Sequence, residues 1–237
     1  MPKIEAVLFD LDDTLHDDTY AFHSAAEEVA REIAAEHTID ALHLKRAYVA
    51  QAEGFWKSMD ATTLDRNLEL VRQELWGAAL AEMGIQDGAL AQVSAENYSR
   101  YRRKYFKPFP GAIDLLRKLR EHGIKLGLLT NGFSVTHREK IAMLQIGEYF
   151  DAIFIADEVG MVKPDPLLFA HACTKLERAP SATAMVGDRY ERDIRGAITA
   201  GLFTVWMNVH EATLPPGAPA PDATVDTILQ VQSALGF

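Results

Sequence analysis

Five short runs along the chain are predominantly apolar, with β-branched and aromatic residues prominent: Ala6–Phe9, Lys125–Leu129, Ala152–Ile155, Thr183–Val186 and Phe203–Met207. Runs this short without polar alternation predict strands buried on both faces. Patterns of helical period separate the later runs, at Ala112–His122, Thr136–Leu144, Pro166–Leu176 and Glu191–Ala200. Strands alternating with helices predict an α/β domain whose parallel sheet is covered on both sides.

Between the first and second runs the pattern changes. From about Asp18 to Tyr105 there is no strand run, only helical stripes such as Ala26, Val29, Ile33 and then Leu64, Leu68, Val71, Leu75. These predict an all-helical insertion, closed by the turn-forming run Lys107-Pro-Phe-Pro-Gly111. The expected division is a core domain, residues 1–16 and 107–237, and a helical cap domain, residues 17–106, with hinges near His16–Asp18 and Phe106–Pro110.

A chain of 237 residues can bury about 70–75% of its unfolded surface and needs no covalent staples. The single cysteine, Cys173, excludes an internal disulfide and fits a reducing, cytoplasmic setting. No apolar stretch predicts a membrane span or a signal peptide. A formal charge of −10 argues against nucleic-acid binding, which needs a basic face.

In open parallel sheets, ligands gather beyond the carboxyl ends of the strands. Asp10-Leu-Asp-Asp-Thr14 follows the first run and Thr130-Asn-Gly132 the second. Lys163-Pro164 lies beyond the third, and Gly187-Asp188 beyond the fourth, with Asp193 starting the next helix. Asp10 and Asp12, at i and i+2 of an extended chain, point the same way, and Asp188 is expected to approach them. Two such carboxylates about 4 Å apart repel by about 4 kcal/mol at an effective dielectric of 20. A divalent cation with oxygen ligands relieves that repulsion, and Mg²⁺ is the usual choice beside phosphate. Lys163, the Thr130 hydroxyl and the Asn131 amide offer positive charge and donors to phosphate oxygens. Asp10 is placed to attack phosphorus and Asp12 to shuttle the proton, for which its pKa is expected to be raised by its carboxylate neighbour.

These residues resemble the four motifs of the haloacid dehalogenase-like hydrolase superfamily, in order and at fitting strand ends, and the insertion resembles that superfamily's first type of cap. The resemblance implies a Rossmann-like core and a Mg²⁺-dependent phosphatase with Asp10 as nucleophile and metal ligand. Asp12 would be general acid/base and lend its backbone carbonyl to the metal; Thr14 would orient Asp12. Thr130 and Asn131 would bind phosphate, Gly132 completing their turn, and Lys163 would bridge phosphate and Asp10. Asp188 would ligate Mg²⁺, and Asp193 would support that site. Asp13 stands where many relatives have Gly. The second and third motifs look most like pyrimidine nucleotidases and acylneuraminate phosphatases, implying a small phosphorylated metabolite such as a nucleoside monophosphate or sugar phosphate as partner.

Other readings compete. A 2-haloacid dehalogenase would lack the second aspartate, and a phosphonate hydrolase would need a marked lysine that neither Lys45 nor Lys57 supplies. A phosphomutase differs chiefly in cap contacts, while a phospho-accepting signalling receiver is about half this length. Phe55, Trp56 and Trp76 are expected in the core of the insertion. Arg100, Arg102, Arg103 and Lys104 are expected on a solvated helix face, and His16 in a structural place.

Overall fold

The computed structural model describes residues 2–237. Its backbone separates into two compact units: residues up to Asp17 together with Lys107–Phe237, and Asp18–Phe106.

The first unit is built on β1 (Ala6–Phe9), β2 (Lys125–Thr130), β3 (Ala152–Ile155), β4 (Thr183–Gly187), β5 (Phe203–Met207) and β6 (Ala223–Val225). All pairings are parallel, in the order β3-β2-β1-β4-β5-β6. This is an α/β sheet of Rossmann-like order. Every residue of β1, β4 and β5 is buried, which is why these strands read as short, largely apolar runs. β6 was not anticipated: it is three residues at the sheet edge, with only Val225 fully covered, and it offers no apolar run.

The order reverses at β1, with β2 on one flank and β4 on the other. Phe9 is paired with Leu128 and with Val186, so the three strands end side by side. Such a switch point opens a crevice at the carboxyl ends. Where the chain leaves and re-enters this unit, Phe109 donates its N–H to Leu15 O at 2.9 Å, and His16 bridges to Pro108.

The second unit holds four helices, α1 (Asp18–Glu36), α2 (Ala41–Lys57), α3 (Leu68–Glu82) and α4 (Gly88–Tyr105). The Ala26, Val29, Ile33 stripe is buried as expected. Leu64 departs from its predicted helix. It lies in a separate 3₁₀ turn, Ala61–Asp65, because Asn67 caps α3 by accepting from the N–H groups of Glu69 and Leu70. Trp76 is fully buried, stacked on Tyr48 with ring centroids 4.0 Å apart. Trp76→Ala should destabilise this unit by about 3–5 kcal/mol, read as a lowered denaturation midpoint in urea. Arg102 is a correction to the solvated-face expectation: it is buried and ion-paired with Asp18, whereas Arg100, Arg103 and Lys104 are exposed.

In the first unit, the sheet is flanked by α5 (Ala112–Glu121), α6 (Ser134–Leu144), α7 (Ala156–Val159), α8 (Pro166–Lys175), α9 (Arg195–Thr199) and α10 (Val231–Ala234). The helix predicted from Glu191 is divided: a π-helical turn, Tyr190–Ile194, precedes α9. Cys173 is buried in the core between α8 and the sheet. No helix among the described residues is long and apolar enough to cross a membrane.

Candidate active site

Asp10 follows β1 directly and donates its N–H to Val186 O on β4 at 2.9 Å. Lys163 Nζ donates to Asp10 Oδ1 at 2.7 Å and lies 2.6 Å from Asp193 Oδ1. All three side chains are buried. Burial pushes the Asp10 carboxyl up to about 8; Lys163 opposes the rise, and Asp193 and Asp188 add to it. Lys163 is held above its ordinary range, since the pull of Asp10 and Asp193 outweighs the cost of burial.

The π-helical turn brings Asp193 back over the end of β4, where its Oδ2 accepts from Arg189 N at 2.9 Å. A Cβ on Gly187 would meet the Asp193 carboxylate at 2.5 Å. Glycine at 187 is therefore what lets Asp193 reach Lys163.

Asp188 is buried, and its Oδ2 receives no hydrogen bond of good geometry; its countercharges are Arg189 Nε at 3.0 Å and His210 Nε2 at 3.5 Å. Burial raises the Asp188 carboxyl to about 6 against the contact with His210. His210 itself is pushed up to about 9 by its contacts with Asp13 and Asp188. Asp10, Asp188 and Asp193 each present an oxygen within 4.8 Å of the others. A set of hard carboxylate oxygens, one of them buried and met by no well-aligned donor, fits a divalent cation such as Mg²⁺.

Asp12 lives in different surroundings. Lys140 Nζ donates to its Oδ1 and Oδ2, both at 2.7 Å, His16 Nε2 lies 3.2 Å from Oδ1, and His137 Nε2 lies 3.5 Å from Oδ2. Burial acts to raise this carboxyl, but Lys140, His137 and His16 prevail and hold it well below the usual carboxylate range. This overturns the expected rise: the groups facing Asp12 are basic. Thr14 Oγ1 is buried without a hydrogen-bond partner among the described residues, so the orientation expected of Thr14 is carried out by these basic groups.

Asp13 has φ of +57°, a left-handed backbone that aspartate, asparagine and glycine tolerate best, which accounts for Asp here. Thr130 ends β2 and is buried. The Asn131 carboxamide accepts from Lys163 N at 2.8 Å and donates to Lys163 O at 3.0 Å. That side chain is spent on placing Lys163, which leaves Asn131 N–H as what it offers an anion. Gly132 has φ of +148°, and a Cβ there would meet the His137 ring at 2.1 Å.

A model of the haloacid dehalogenase-like hydrolases matches residues 4–201. The chain belongs to the haloacid dehalogenase-like hydrolase family. Among its relatives, the glyceraldehyde 3-phosphate phosphatase of Methanopyrus kandleri is 35% identical over 210 residues, 85% of this chain and 83% of that protein. The N-acylneuraminate-9-phosphatase of Rattus norvegicus is 31% identical over 99% of this chain and 95% of its own. Among solved structures, the HAD-hydrolase YfnB of Bacillus subtilis, bound to magnesium, aligns with a TM-score of 0.80 at 23% identity, covering 99% of this chain and 100% of that one, a likeness of fold.

In this hydrolase the motif residues Asp10, Lys163, Asp188 and Asp193 come together as one cluster. Sequence reasoning missed Lys140, His137, Arg189 and His210, and gave His16 only a structural place. One signal was present: Thr136, His137 and Lys140 share the covered face of α6 with Ile141 and Leu144. Three polar residues on a buried helix face point to something other than packing.

Proposed function

We propose that this hydrolase is a divalent-metal-dependent phosphomonoesterase that passes the phosphoryl group of a small phosphorylated metabolite to Asp10 and then to water. The observation that carries the reading is Asp10 itself, a buried carboxylate set between the Lys163 ammonium and the carboxylates of Asp188 and Asp193. Asp10 and Asp188, with the backbone carbonyl of Asp12, would hold Mg²⁺, and Asp193 would support them through Lys163 and the Arg189 backbone. When bound, the ion supplies positive charge against the phosphate dianion in a chain whose net charge is −10.

Lys163, the Thr130 hydroxyl and the Asn131 N–H would receive the phosphoryl oxygens. An Asp10 oxygen attacks phosphorus as the bond to the leaving oxygen breaks, and the electron pair on that oxygen takes a proton from Asp12. Water then attacks the aspartyl-phosphate, its proton returns to Asp12, and the Asp10–phosphorus bond breaks to free inorganic phosphate. In this scheme the approaching phosphate dianion lifts the Asp12 carboxyl from its low resting pKa, so that it enters the first step protonated.

Two rival readings fare worse. Halide leaves without a proton, so a dehalogenase has no use for Asp12 and the three basic groups gathered on it. Signalling receivers have strand order 2-1-3-4-5, which differs from the order found here. The test is a panel of nucleoside monophosphates, sugar phosphates and phosphorylated small acids. Phosphate release with Mg²⁺, abolished by chelator and restored by added metal, is expected from at least one class. Full turnover in chelator, or none on any phosphomonoester with metal present, would contradict the proposal.

A further inference from the structure

A lysine in a protein interior is costly unless its charge is met, so the partner of a buried lysine points to its purpose. Lys140 is 1% exposed. From α6 it reaches an aspartate 128 positions earlier in the chain and donates to both carboxylate oxygens of Asp12 at 2.7 Å. Equal contacts to both oxygens aim the carboxylate at Lys140 and hold its χ1, while His16 and His137, one beside each oxygen, restrain its turn about the Cβ–Cγ bond.

The helix carrying Lys140 is itself pinned to the strand ends. The N–H of Ser134 donates to Asp157 Oδ2 at 2.6 Å at its start, and the His137 ring fills the space that a side chain on Gly132 would need. His137 Nδ1 is 3.0 Å from Phe133 O, which fixes the ring while its Nε2 faces Asp12. The first unit therefore uses two separate buried cations for the two outer carboxylates of its first motif, Lys163 on Asp10 and Lys140 on Asp12.

We propose that Lys140 is the positioning residue for proton transfer: it clamps Asp12 in one rotamer, so that the group protonating the leaving oxygen stands in the same place when it deprotonates water. The inference rests on the phosphatase reading above and adds to it a residue outside the four motif segments. Lys140 exerts this role through Asp12.

Lys140→Met tests it, with Mg²⁺ present and two substrates. p-Nitrophenyl phosphate expels a stable anion and needs no proton in the first step, so rapid mixing should show a burst of one nitrophenolate per enzyme. The steady rate that follows should be about 10²-fold below wild type, because water activation is impaired. With glycerol phosphate, whose leaving alkoxide needs the proton, the burst should be absent and kcat should fall by at least that factor, with KM changed less than about threefold. Lys140→Gln, which keeps an amide donor but not the charge, carries the same test should the methionine variant not fold. Unchanged kcat on both substrates, or equal loss on both without a burst, overturns the inference. Failure of the phosphatase reading shows instead in the wild-type enzyme, which would then release no phosphate from either substrate and so remove both.

Discussion

Asp10→Asn should abolish metal-dependent phosphate release, lowering kcat by at least roughly 10³-fold, while the protein stays folded. The amide has the shape of the carboxyl but lacks the anionic oxygen that attacks phosphorus. Lys163 would keep Asp193 as its counter-ion at 2.6 Å, so the substitution does not strand a buried charge. Stability should move the other way from activity. The Asp10 carboxyl is pushed up to about 8, so above that pH the fold carries a buried carboxylate that the unfolded chain ionises at less cost, and a neutral amide relieves that cost. Without metal at pH 9, the melting temperature of Asp10→Asn should equal or exceed that of the wild type. Near-normal turnover by a folded Asp10→Asn protein would remove Asp10 from the nucleophile's role.

In the absence of metal, the protein should lose stability as pH rises from about 5 to about 9. Asp10 and Asp188 have folded-state values of about 8 and about 6 against an ordinary value of 3.8. The folded chain thus holds these protons more tightly than the unfolded chain does. Stability from Asp188 falls between about 4 and about 6, and from Asp10 between about 4 and about 8. His210, raised from 6.5 to about 9, adds a part in the same direction: it stabilises below 6.5 and loses that contribution as pH climbs through 9. Its partial exposure keeps that part small. Asp12, held low, is ionised throughout this window and does not oppose the trend. Each pKa unit corresponds to about 1.4 kcal/mol, so the carboxyls together contribute on the order of several kcal/mol. A divalent cation competes with those protons and binds only the folded site, so Mg²⁺ should raise the melting temperature far more at pH 8 than at pH 5. Calorimetry in chelator and in Mg²⁺ across this range checks it; a flat profile indifferent to Mg²⁺ would contradict the assignment of these carboxylates to a metal.

The five longer strands were legible along the chain because strands covered on both faces over most of their length are mostly apolar, and local composition records that. The four polar segments were legible because a parallel sheet puts the ends of its strands together, so residues that follow separate apolar runs must meet. β6 escaped notice because an edge strand of three residues covers too little to impose a pattern. The start of α3 was misread because Leu64 happens to keep the helical spacing, while the capping hydrogen bonds of Asn67 override it.

What the linear order determined on its own was therefore the five longer strands, the helical insertion, and the meeting of the segments that carry Asp10, Lys163, Asp188 and Asp193, since these follow from local pattern and parallel topology. The environment of each carboxylate was decided only in three dimensions. Asp10 and Asp12 are two residues apart, yet one is pushed up by burial and the other held down by a lysine 128 positions away. A pKa depends on distances of a few ångströms to charges and to water, and those distances exist only once α6 has packed against the strand ends.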